Sequence, residues 1–541
     1  MIPHGWLPVS RYQEIIDDFV STYDADDDVT RYLILINCGA SEDVIGLLEL
    51  TSRPNVCVII LDSHRPIMHL ANDNDPQSQL YVLMDSEAEG ISLEDIPSAH
   101  DGDGAYGSHE DENIDNNNNG ENGTGNKKDP EQDRMAYYGS GSHYGKPTAC
   151  ILYDLTFHLR QENSYFLWLA ILGLADHLIH NRMPLAKYEP YYIQYENHVA
   201  SGGHLDQPRE VQMIDNENGD LATAPKPICR IAREDDYRFG LLREWSLWES
   251  MLNSPYVAAR LQTYSEKGRE RLEFLLAKIG IPLREAKSSF QFDMKPQYQK
   301  RLQEQLALHG ASYNLGDSIF HSFQLQDGFN RCVMAVDVIH AATALLECGA
   351  GRGANESLAQ DMDRMQHIER FWRCWSALGW GNDSSELRKG IELAKKVQSA
   401  LVADGGAVIA QRLYHNFRSF RVFDISEHKL TNHSLLVHPM SLQRMAAFLQ
   451  EQYYHQSQSN KLKPVVLIAP KDQATGRCLV VGYQVSGPGD GNKLGAAFAA
   501  AAEEVSAQAW HDMFDTSIME IMCHDVERFK AELLRVASEI L

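Results

Sequence analysis

Three polar side chains follow two apolar runs of the chain, and their types include those that bind divalent metal ions. Asn37 follows the run 32–36, and Asp62 and His64 follow the run 56–61. Carboxylate oxygens are the preferred ligands of hard divalent cations, and imidazole is an accepted one. Such cations activate water for attack on a phosphate. If both runs are strands of one parallel sheet, the three side chains meet at its carboxyl edge, where such sheets bind ligands.

The elements that would position these side chains form an alternating pattern of strands and helices. The runs 32–36 and 56–61, with a third at 80–84, are continuously apolar, which predicts strands buried on both faces. An apolar-periodic stretch at 44–48 separates the first two runs and predicts a helix. Together they predict an α/β fold with a doubly wound parallel sheet.

The residues around the predicted site carry a resemblance to a known family. The segments 37–39 (Asn-Cys-Gly) and 62–66 (Asp-Ser-His-Arg-Pro) are similar to the cell division control protein forty-five family of eukaryotic replication factors. That family is related to the DHH phosphoesterases, which include RecJ exonuclease. Further blocks resemble the family in the same order along nearly the whole chain, at 168–176, 245–248, 254–260, 280–283, 390–396 and 495–502.

The resemblance implies a degenerate form of the two-metal site of DHH phosphoesterases. Asp62 and His64 match the outer positions of the Asp-His-His cluster, and Asp176 matches a later aspartate. Asn37 stands where an enzyme of this kind has a carboxylate, and Ser63 replaces the middle histidine. We therefore predict a degenerate phosphoesterase site of Asn37, Asp62, His64 and Asp176, with no catalytic residue and no bound metal.

Three interpretations of these residues stay open. Asp62, His64 and Asp176 form a residual hydrogen-bonded cluster, retain a contact with a metal or phosphate, or support hydrolysis. The first is favoured, because a neutral amide substitutes poorly for a carboxylate beside two divalent cations. His177 and His180 lie three residues apart on a predicted helix and could share a metal, but no third ligand is near in sequence, so a structural pair is favoured.

The start of the chain departs from the family pattern. The resemblance places Met1 after the family's first strand and helix, so we expect a truncated gene model or an alternative start. The acidic run 24–28 spells an Asp-x-Asp motif, but it lies in a polar stretch before the first predicted strand. We do not expect this run to bind metal.

The charge of the chain is strongly acidic and unevenly distributed. A net charge of −26 opposes tight, non-specific binding to duplex DNA, because phosphate contacts depend on clustered Lys and Arg. Close to half of that charge lies in 86–133, where fourteen acidic residues stand against two lysines. We predict a disordered acidic insert at 86–134, since its composition buries too little apolar surface to offset ordering. It is either a solvated loop or an arm that contacts basic surfaces or receives regulation.

Cysteine usage and hydropathy bound the class of protein. The nine cysteines include no Cys-x-x-Cys pair, which is typical of reduced thiols and not of a disulfide or zinc framework. No window approaches the ~18 consecutive apolar residues of a membrane span. The start lacks the basic region and apolar stretch of a signal peptide. We expect a cytosolic or nuclear protein without membrane contact.

The pattern divides the chain into three predicted domains. They are a DHH-like α/β domain at 1–185 with the insert 86–134, a mostly helical region at 186–410, and a smaller DHHA1-like α/β domain at 411–541. The first domain has helical patterns near 152–159 and 166–176, and the clearest helical stripe of the middle region is 241–252. In the last domain a final pair of helices follows strand candidates at 435–437, 465–468 and 479–481.

One glycine-rich segment resembles a phosphate loop without meeting its requirements. In the segment 487–495, Leu494 stands where Ser or Thr would hold magnesium, and the glycine spacing is wrong. The segment is therefore predicted to be a surface turn before a helix at 494–507. RecJ-like enzymes touch nucleic acid with a glycine-rich segment at this place, so the resemblance implies candidate DNA contacts at Lys493 and Gly495.

The resemblance implies a non-enzymatic, cofactor-free replisome scaffold in the nucleus. Such a protein joins the minichromosome maintenance (MCM) hexamer and the GINS complex to form the active replicative helicase. DNA polymerase and initiation factors at the fork are further implied partners, and weak contact with single-stranded DNA is compatible with this role. The alternative is a metal-dependent, RecJ-like single-strand exonuclease or phosphoesterase. Salt-sensitive binding of single strands without cleavage separates a passive DNA binder from that enzyme.

Overall fold

The structure of this protein is a computed structural model that forms two compact units. We call them the small unit, Thr22–Lys146, and the large unit, Met1–Ser21 with Pro147–Leu541. The predicted domain boundaries at 185 and 410 both fall inside the large unit and stay a prediction. The structure describes residues 8–9, 12–16, 18, 30–68, 79–93, 96–97, 136–201, 212–215, 221–224, 229–327, 331–348, 359–379, 385–428, 430–456, 462–472, 476–485, 491–511 and 514–540.

The small unit contains the strands β1 (Arg31–Ile36), β2 (Val56–Leu61), β3 (His64–Arg65), β4 (Leu80–Leu83) and β5 (His143–Tyr144). A parallel sheet has the strand order β1-β2-β4, and β3 pairs separately with β5. The register pairs Ile36 with Leu61, and Leu61 with Leu83, so the three parallel strands end at one edge. The helix Val44–Leu47 follows β1, as predicted, and the Asp43 carboxylate accepts a hydrogen bond from the Gly46 amide. The predicted strands and their parallel arrangement are confirmed.

The parallel sheet is covered on one face and exposed on the other. Val58 and Ile60 on β2 are fully buried, whereas Tyr32 on β1 is 67% exposed and Tyr81 on β4 is 43% exposed. Side chains alternate between the two faces of a strand. Among the described residues, the side chains on one face of β1 and β4 are covered and those on the other face are exposed. The prediction that these strands are buried on both faces is therefore wrong for β1 and β4.

The predicted insert 86–134 begins inside folded structure. Ser86–Glu89 is a helix, and the Tyr138 hydroxyl donates a hydrogen bond of 2.8 Å to the Pro97 carbonyl. Residues 94–95 and 98–134 lie outside the described residues, so their predicted disorder stays a prediction. The folded part of the small unit therefore extends beyond the predicted start of the insert.

The large unit contains the remaining helices and two larger sheets. Its described helices are Tyr12–Ile15, Thr148–His158, Ser164–Ile179, Leu185–Ser201, Leu247–Leu252, Pro255–Leu261, Glu266–Ile279, Leu283–Ala286, Pro296–His309, Ala335–Cys348, Ala359–Ala377, Ser385–Ala410, His433–Leu436, Pro439–Gln456, Leu494–Glu504 and Val526–Ile540. None of the helices in the described ranges combines the length and the apolar character that crossing a membrane requires.

The region predicted to be mostly helical also holds strands that the sequence pattern did not reveal. β6 (Gln212–Asp215) and β7 (Leu221–Ala224) form a hairpin, and β8 (Cys229–Tyr237), β9 (Ile319–Asp327) and β10 (Arg331–Met334) form an antiparallel sheet in the order β10-β9-β8. β8 and β9 pair from Cys229↔Asp327 to Tyr237↔Ile319. β8 carries a charged run at 233–236, which lacks the apolar signal of a buried strand.

The apolar stripe predicted as one helix over 241–252 is interrupted. Leu241 has a left-handed conformation with φ of 61°, Leu242–Glu244 is a 3-10 turn, and Trp245 is extended. The helix proper is Leu247–Leu252, and it begins at a capping box formed by Ser246 and Glu249. The helix therefore begins at the capping box and not at the first apolar residue of the stripe.

The carboxyl-terminal part of the large unit is a six-stranded sheet covered by helices on both faces. Its strands are β11 (Tyr414–Asn416), β12 (Arg421–Asp424), β13 (Val465–Asp472), β14 (Arg477–Tyr483), β15 (Ala509–His511) and β16 (Ile518–Met522), in the order β11-β12-β13-β14-β16-β15. One face packs against Phe448 of Pro439–Gln456, and the other packs against Phe498 and Phe529 of the last two helices.

Two of the three predicted strand candidates in this part are confirmed, as is the final pair of helices. The candidates at 465–468 and 479–481 lie within β13 and β14. The strand predicted at 435–437 is wrong, because His433–Leu436 is a helix. Leu436 is fully buried in the apolar core beside the sheet, so its hydrophobicity reports burial and not extended structure.

Candidate functional site

The Asp62 carboxylate lies directly after β2 and is held by three hydrogen bonds. Its Oδ1 accepts from the backbone amide of His64 at 3.1 Å and is 2.7 Å from His64 Nδ1. Its Oδ2 accepts from the Ala40 amide at 3.1 Å. Asp62 is only 1% exposed. These bonds join the loop after β1 to the turn after β2, so the carboxylate holds the two loops together.

Asn37 belongs to the same polar cluster. Its side-chain Oδ1 accepts a hydrogen bond of 3.0 Å from the Ser63 hydroxyl. Its backbone has a left-handed conformation with φ of 60°, which Asn adopts more readily than most residues. The small unit thus places Asn37, Asp62 and His64 at the same edge, where Asn37 bonds to Ser63 and Asp62 bonds to His64.

Electrostatic contacts keep Asp62 ionised. Burial alone would raise the pKa of this carboxyl, but hydrogen bonds from His64 and the Ala40 amide outweigh burial and lower it. Burial and the nearby Asp62 charge raise the pKa of the Cys38 thiol to about 12, so Cys38 is a neutral core residue. The network is thus a carboxylate with local donors and no nucleophilic thiol.

Two buried cations complete the small unit's polar cluster, and sequence analysis did not identify either of them. Arg65 Nε donates to Glu89 Oε2 at 2.6 Å, and a second bond joins the same guanidinium to Glu89 Oε1. Lys146 Nζ lies 2.5 Å from Asp85 Oδ2. Arg65 and Lys146 are 2% and 4% exposed. The two residues of each pair lie far apart in sequence, and Lys146 ends a glycine-rich loop that has no other sign of a buried cation. The sequence therefore carries no signal for these pairs beyond their charge.

The Arg65 guanidinium also organises the backbone of the cluster. It donates to the carbonyl oxygens of Asp62 at 2.9 Å and of His64 at 2.8 Å. A Cβ atom on Gly145 would lie 2.6 Å from Glu89 Oε1 and 2.9 Å from an Arg65 nitrogen, so only glycine fits beside this pair. Gly145 also donates to the Ser63 carbonyl at 2.8 Å. The cations and the glycine thus lock the turn after β2.

Asp176 belongs to the large unit and has cationic partners of its own. Its Oδ2 accepts from Arg182 at 2.7 Å, and its Oδ1 lies 3.0 Å from His180 Nδ1. Burial alone would raise the pKa of Asp176, but the Arg182 and His180 charges outweigh burial and lower it. His180 Nε2 lies 3.5 Å from the Thr343 hydroxyl. Both ring nitrogens of His180 therefore have protein partners.

We expect Asp176 to make folding stability sensitive to acid. Its folded pKa lies below the usual value of 3.8, so its ion pairs stabilise the folded protein above about pH 4, and this stabilisation is lost as the pH falls through the folded pKa. Between about pH 7 and pH 2, the difference in melting temperature between the native chain and Asp176→Asn should stay constant above about pH 4 and shrink below it. A constant difference across this range would contradict the assignment.

The predicted DNA contacts lie at the start of the helix Leu494–Glu504. Gly495 is buried, and a Cβ atom there would lie 2.4 Å from the Thr516 hydroxyl and 3.0 Å from the Thr516 carbonyl carbon, so close packing explains the glycine. Lys493 is half-buried, and its amide lies 3.4 Å from Gln484 Oε1. A DNA contact at either residue stays a prediction. Residues 486–490 of the glycine-rich segment and the acidic run 24–28 lie outside the described residues.

The donor set does not fit the two divalent metals that the resemblance to DHH phosphoesterases implies. Such a pair needs several carboxylates free to coordinate. Here Asp62 is paired with His64, Glu89 with Arg65, and Asp85 with Lys146, while Asn37 contributes an amide. Within the described part of the chain, no group of three or more His, Cys, Asp or Glu side chains is arranged to hold a metal ion. The arrangement is suited to holding loops in place.

Fold and site together define a mixed α/β protein whose parallel sheet carries ion-paired carboxylates at its carboxyl edge. The family model of CDC45 matches residues 1–134 and 97–535. This chain therefore belongs to the CDC45 family. The match confirms the predicted resemblance, and residues Asn37, Asp62 and His64 lie within its first segment.

Individual relatives match over nearly their full length. The cell division control protein 45 homolog of Schizosaccharomyces pombe is 29% identical, with 98% of this chain and 91% of that protein covered. The human homolog of the same name is 26% identical, with 99% and 92% covered. The crystal structure of CDC45 from Entamoeba histolytica superposes with a TM-score of 0.65 at 19% identity, covering 98% of this chain and 88% of that chain. The predicted fold class is confirmed.

Proposed function

We propose that this protein is a non-enzymatic replisome scaffold that joins the MCM hexamer and GINS to form the active replicative helicase. Membership in the CDC45 family supports a role in the initiation of DNA replication. The proposed place of action is the nucleus, on chromatin, with DNA polymerase and initiation factors as further partners at the fork. In this proposal the motor of the helicase supplies the ATP hydrolysis, and this chain supplies binding surfaces.

The observation that carries the non-enzymatic part of the proposal is the ion pairing of the candidate site. The Asp62 carboxylate is hydrogen-bonded to His64, while the Glu89 and Asp85 carboxylates pair with the Arg65 and Lys146 cations. A buried Arg or Lys occupies the space and supplies the charge that a divalent cation would otherwise supply. The RecJ-like exonuclease alternative requires carboxylates that can coordinate metal ions. Asp62 is instead bonded to His64 and to the Ala40 amide, which disfavours this alternative.

Affinity purification of the endogenous protein from nuclease-treated S-phase chromatin tests the scaffold. We expect near-equal recovery of MCM and GINS subunits by quantitative mass spectrometry. A parallel purification from an untagged strain is the matched control. Nuclease treatment removes co-recovery through DNA, so the absence of MCM and GINS from the specific eluate would overturn the scaffold proposal.

A cleavage assay tests the non-enzymatic part separately. We expect no manganese-dependent cleavage of single-stranded DNA above background, either by the native chain or by Asp62→Ala. Cleavage by the native chain that Asp62→Ala abolishes would establish the exonuclease alternative. Salt-sensitive binding of the same strands without cleavage would support the weak single-strand contact included in the proposal.

A further inference from the structure

An unusually basic hairpin lies at the edge of the carboxyl-terminal sheet. The hairpin joins β11 to β12, and we call residues 412–421 together with Lys463 the basic hairpin. No acidic residue occurs between Asp404 and Asp424, although the chain as a whole has a net charge of −26. The same stretch contains three arginines and a histidine, at Arg412, His415, Arg418 and Arg421. Positive charge is therefore concentrated here against the trend of the molecule.

Arg421 is the most constrained cation of the basic hairpin. It is 9% exposed, and its guanidinium carbon lies 4.2 Å from the ring centroid of Tyr453 and 5.9 Å from that of Tyr414. Among the described residues no carboxylate pairs with it, and its Nε has no hydrogen-bond partner. Aromatic faces offset part of the cost of a desolvated cation but satisfy none of its N–H donors. Arg421 is thus held in place with unused donors.

The exposed cations around Arg421 are also unpaired. Arg412 and Arg418 are exposed, and none of the described carboxylates forms an ion pair with either. Lys463 donates to neutral oxygens, the Asn416 side chain at 3.2 Å and the Phe417 carbonyl at 2.8 Å. By contrast, Arg535 on the helix Val526–Ile540 pairs with three glutamates, Glu504, Glu532 and Glu539. The basic hairpin therefore presents uncompensated positive charge.

The backbone of the basic hairpin offers a second means of recognition. β11 is the outer strand of the six-stranded sheet and pairs on one side with β12, from Tyr414↔Phe423 to Asn416↔Arg421. An outer strand has backbone N–H and C=O groups directed away from the sheet, and an extended peptide can pair with them. The positive charge of the basic hairpin and the outer edge of β11 therefore lie within a few residues of each other.

We propose that the basic hairpin binds an acidic, extended peptide segment of a partner protein. Carboxylates of the segment would pair with the guanidinium groups of Arg412, Arg418 and Arg421, and its backbone would add to β11. Arginine suits this role because its planar fork accepts a carboxylate in two parallel hydrogen bonds. Because the Arg421 side chain already packs against two tyrosine rings, it loses less conformational entropy when the peptide binds.

The geometry favours a peptide over single-stranded nucleic acid. Sequence-tolerant binding of single strands relies on aromatic rings that are open for base stacking. The rings of Tyr414 and Phe417 are half-buried, and they already contact Tyr453 at 4.8 Å and Phe420 at 5.4 Å between ring centroids.

Fluorescence anisotropy with the full chain tests this proposal. The probes are a short labelled peptide of alternating Glu and Val, the same peptide with Gln in place of Glu, and oligothymidylate of matching length. We expect the Glu peptide to bind and to weaken with added salt, and the Gln peptide to bind at least about tenfold more weakly, which is about 1.4 kcal/mol. Equal binding of both peptides, or binding of oligothymidylate alone, would overturn the proposal.

Variants locate the binding surface. The double change Arg412→Glu and Arg418→Glu should weaken binding of the Glu peptide at least about tenfold, whereas Lys300→Glu, on a distant helix and exposed to 79%, should leave it unchanged. Arg421→Lys keeps the charge but removes the fork, and should also weaken binding. Equal losses in all variants would show non-specific attraction and would contradict the assignment.

Hydrogen exchange separates pairing with the strand from simple charge attraction. We expect the bound Glu peptide to slow amide exchange in β11 (Tyr414–Asn416), since new backbone hydrogen bonds would protect outward-facing groups. The same experiment on each variant reports whether the sheet remains folded. Binding without added protection in β11 would overturn the strand-addition part of the proposal.

Discussion

Replacing Glu89 by Met is expected to destabilise the small unit by about 3–5 kcal/mol, because it leaves the buried Arg65 guanidinium without its carboxylate. Arg65 is 2% exposed and Glu89 is 11% exposed, so water cannot readily replace the lost partner. Loss of the pair would also loosen the Arg65 bonds to the Asp62 and His64 carbonyls. Hydrogen exchange of β2 amides measures the effect within the small unit alone.

The matched control is Glu49→Met. Glu49 also pairs with an arginine, Arg53 at 3.1 Å, but Glu49 is 68% exposed. Because the Glu49 side of this pair is exposed to water, the pair is expected to contribute about 0–1 kcal/mol. If both variants lost the same protection of the β2 amides against exchange, burial of the Arg65–Glu89 pair would not explain its contribution to stability. Adding Arg65→Met to Glu89→Met should recover part of the loss, with a coupling of about 0.5–3 kcal/mol.

Replacing Glu347 by Ala is expected to lower the stability of the large unit by about 3 kcal/mol, because it leaves buried hydrogen-bond donors without an acceptor. Glu347 is 4% exposed and accepts hydrogen bonds from the Met440 amide at 2.6 Å and the Ser441 amide at 2.9 Å. The Ser441 hydroxyl donates to it at 2.8 Å. These donors belong to the first turn of the helix Pro439–Gln456, where backbone amides have no partner within the helix.

Denaturant unfolding with exchange detection at the amides of residues 440–442 measures the Glu347 effect. The control is Glu392→Ala, because Glu392 is 65% exposed and pairs only with Lys395 at the surface, at 2.6 Å. Its cost should be about 0.5 kcal/mol or less. An unchanged stability of Glu347→Ala would mean that water satisfies the first turn. A loss confined to this helix would show that Glu347 anchors it to the helix Ala335–Cys348.

The two buried acids illustrate one physical theme of this protein. Glu89 and Glu347 each accept hydrogen bonds on both carboxylate oxygens, Glu89 from Arg65 and Glu347 from Met440 and Ser441. Carboxylates bonded in this way stabilise structure. This use of carboxylates to hold structure agrees with the scaffold role in our proposal.

Local sequence patterns determined the parallel sheet and the polar cluster at its edge. The runs ending at Ile36 and Leu61 have the continuous apolar character of strands, and a parallel arrangement brings the following residues together by geometry alone. Asn37, Asp62 and His64 could therefore be placed in one network from the sequence. The same kind of pattern predicted β13 and β14, because both faces of these strands are buried.

Tertiary structure alone decided which charges meet. The partners of Arg65 and Lys146 lie 24 and 61 residues away, and no periodicity relates them. The Leu435–Val437 segment was predicted as a strand because a short apolar run does not distinguish a buried helix from a buried strand. Strand β8 was missed because its charged run at 233–236 lacks the apolar signal of a buried strand. Its partner strand β9 is also distant in sequence, with Asp235 and His321 paired across 86 residues. Long-range electrostatic and hydrogen-bond partners depend on the folded chain, since sequence separation carries no information on distance in space.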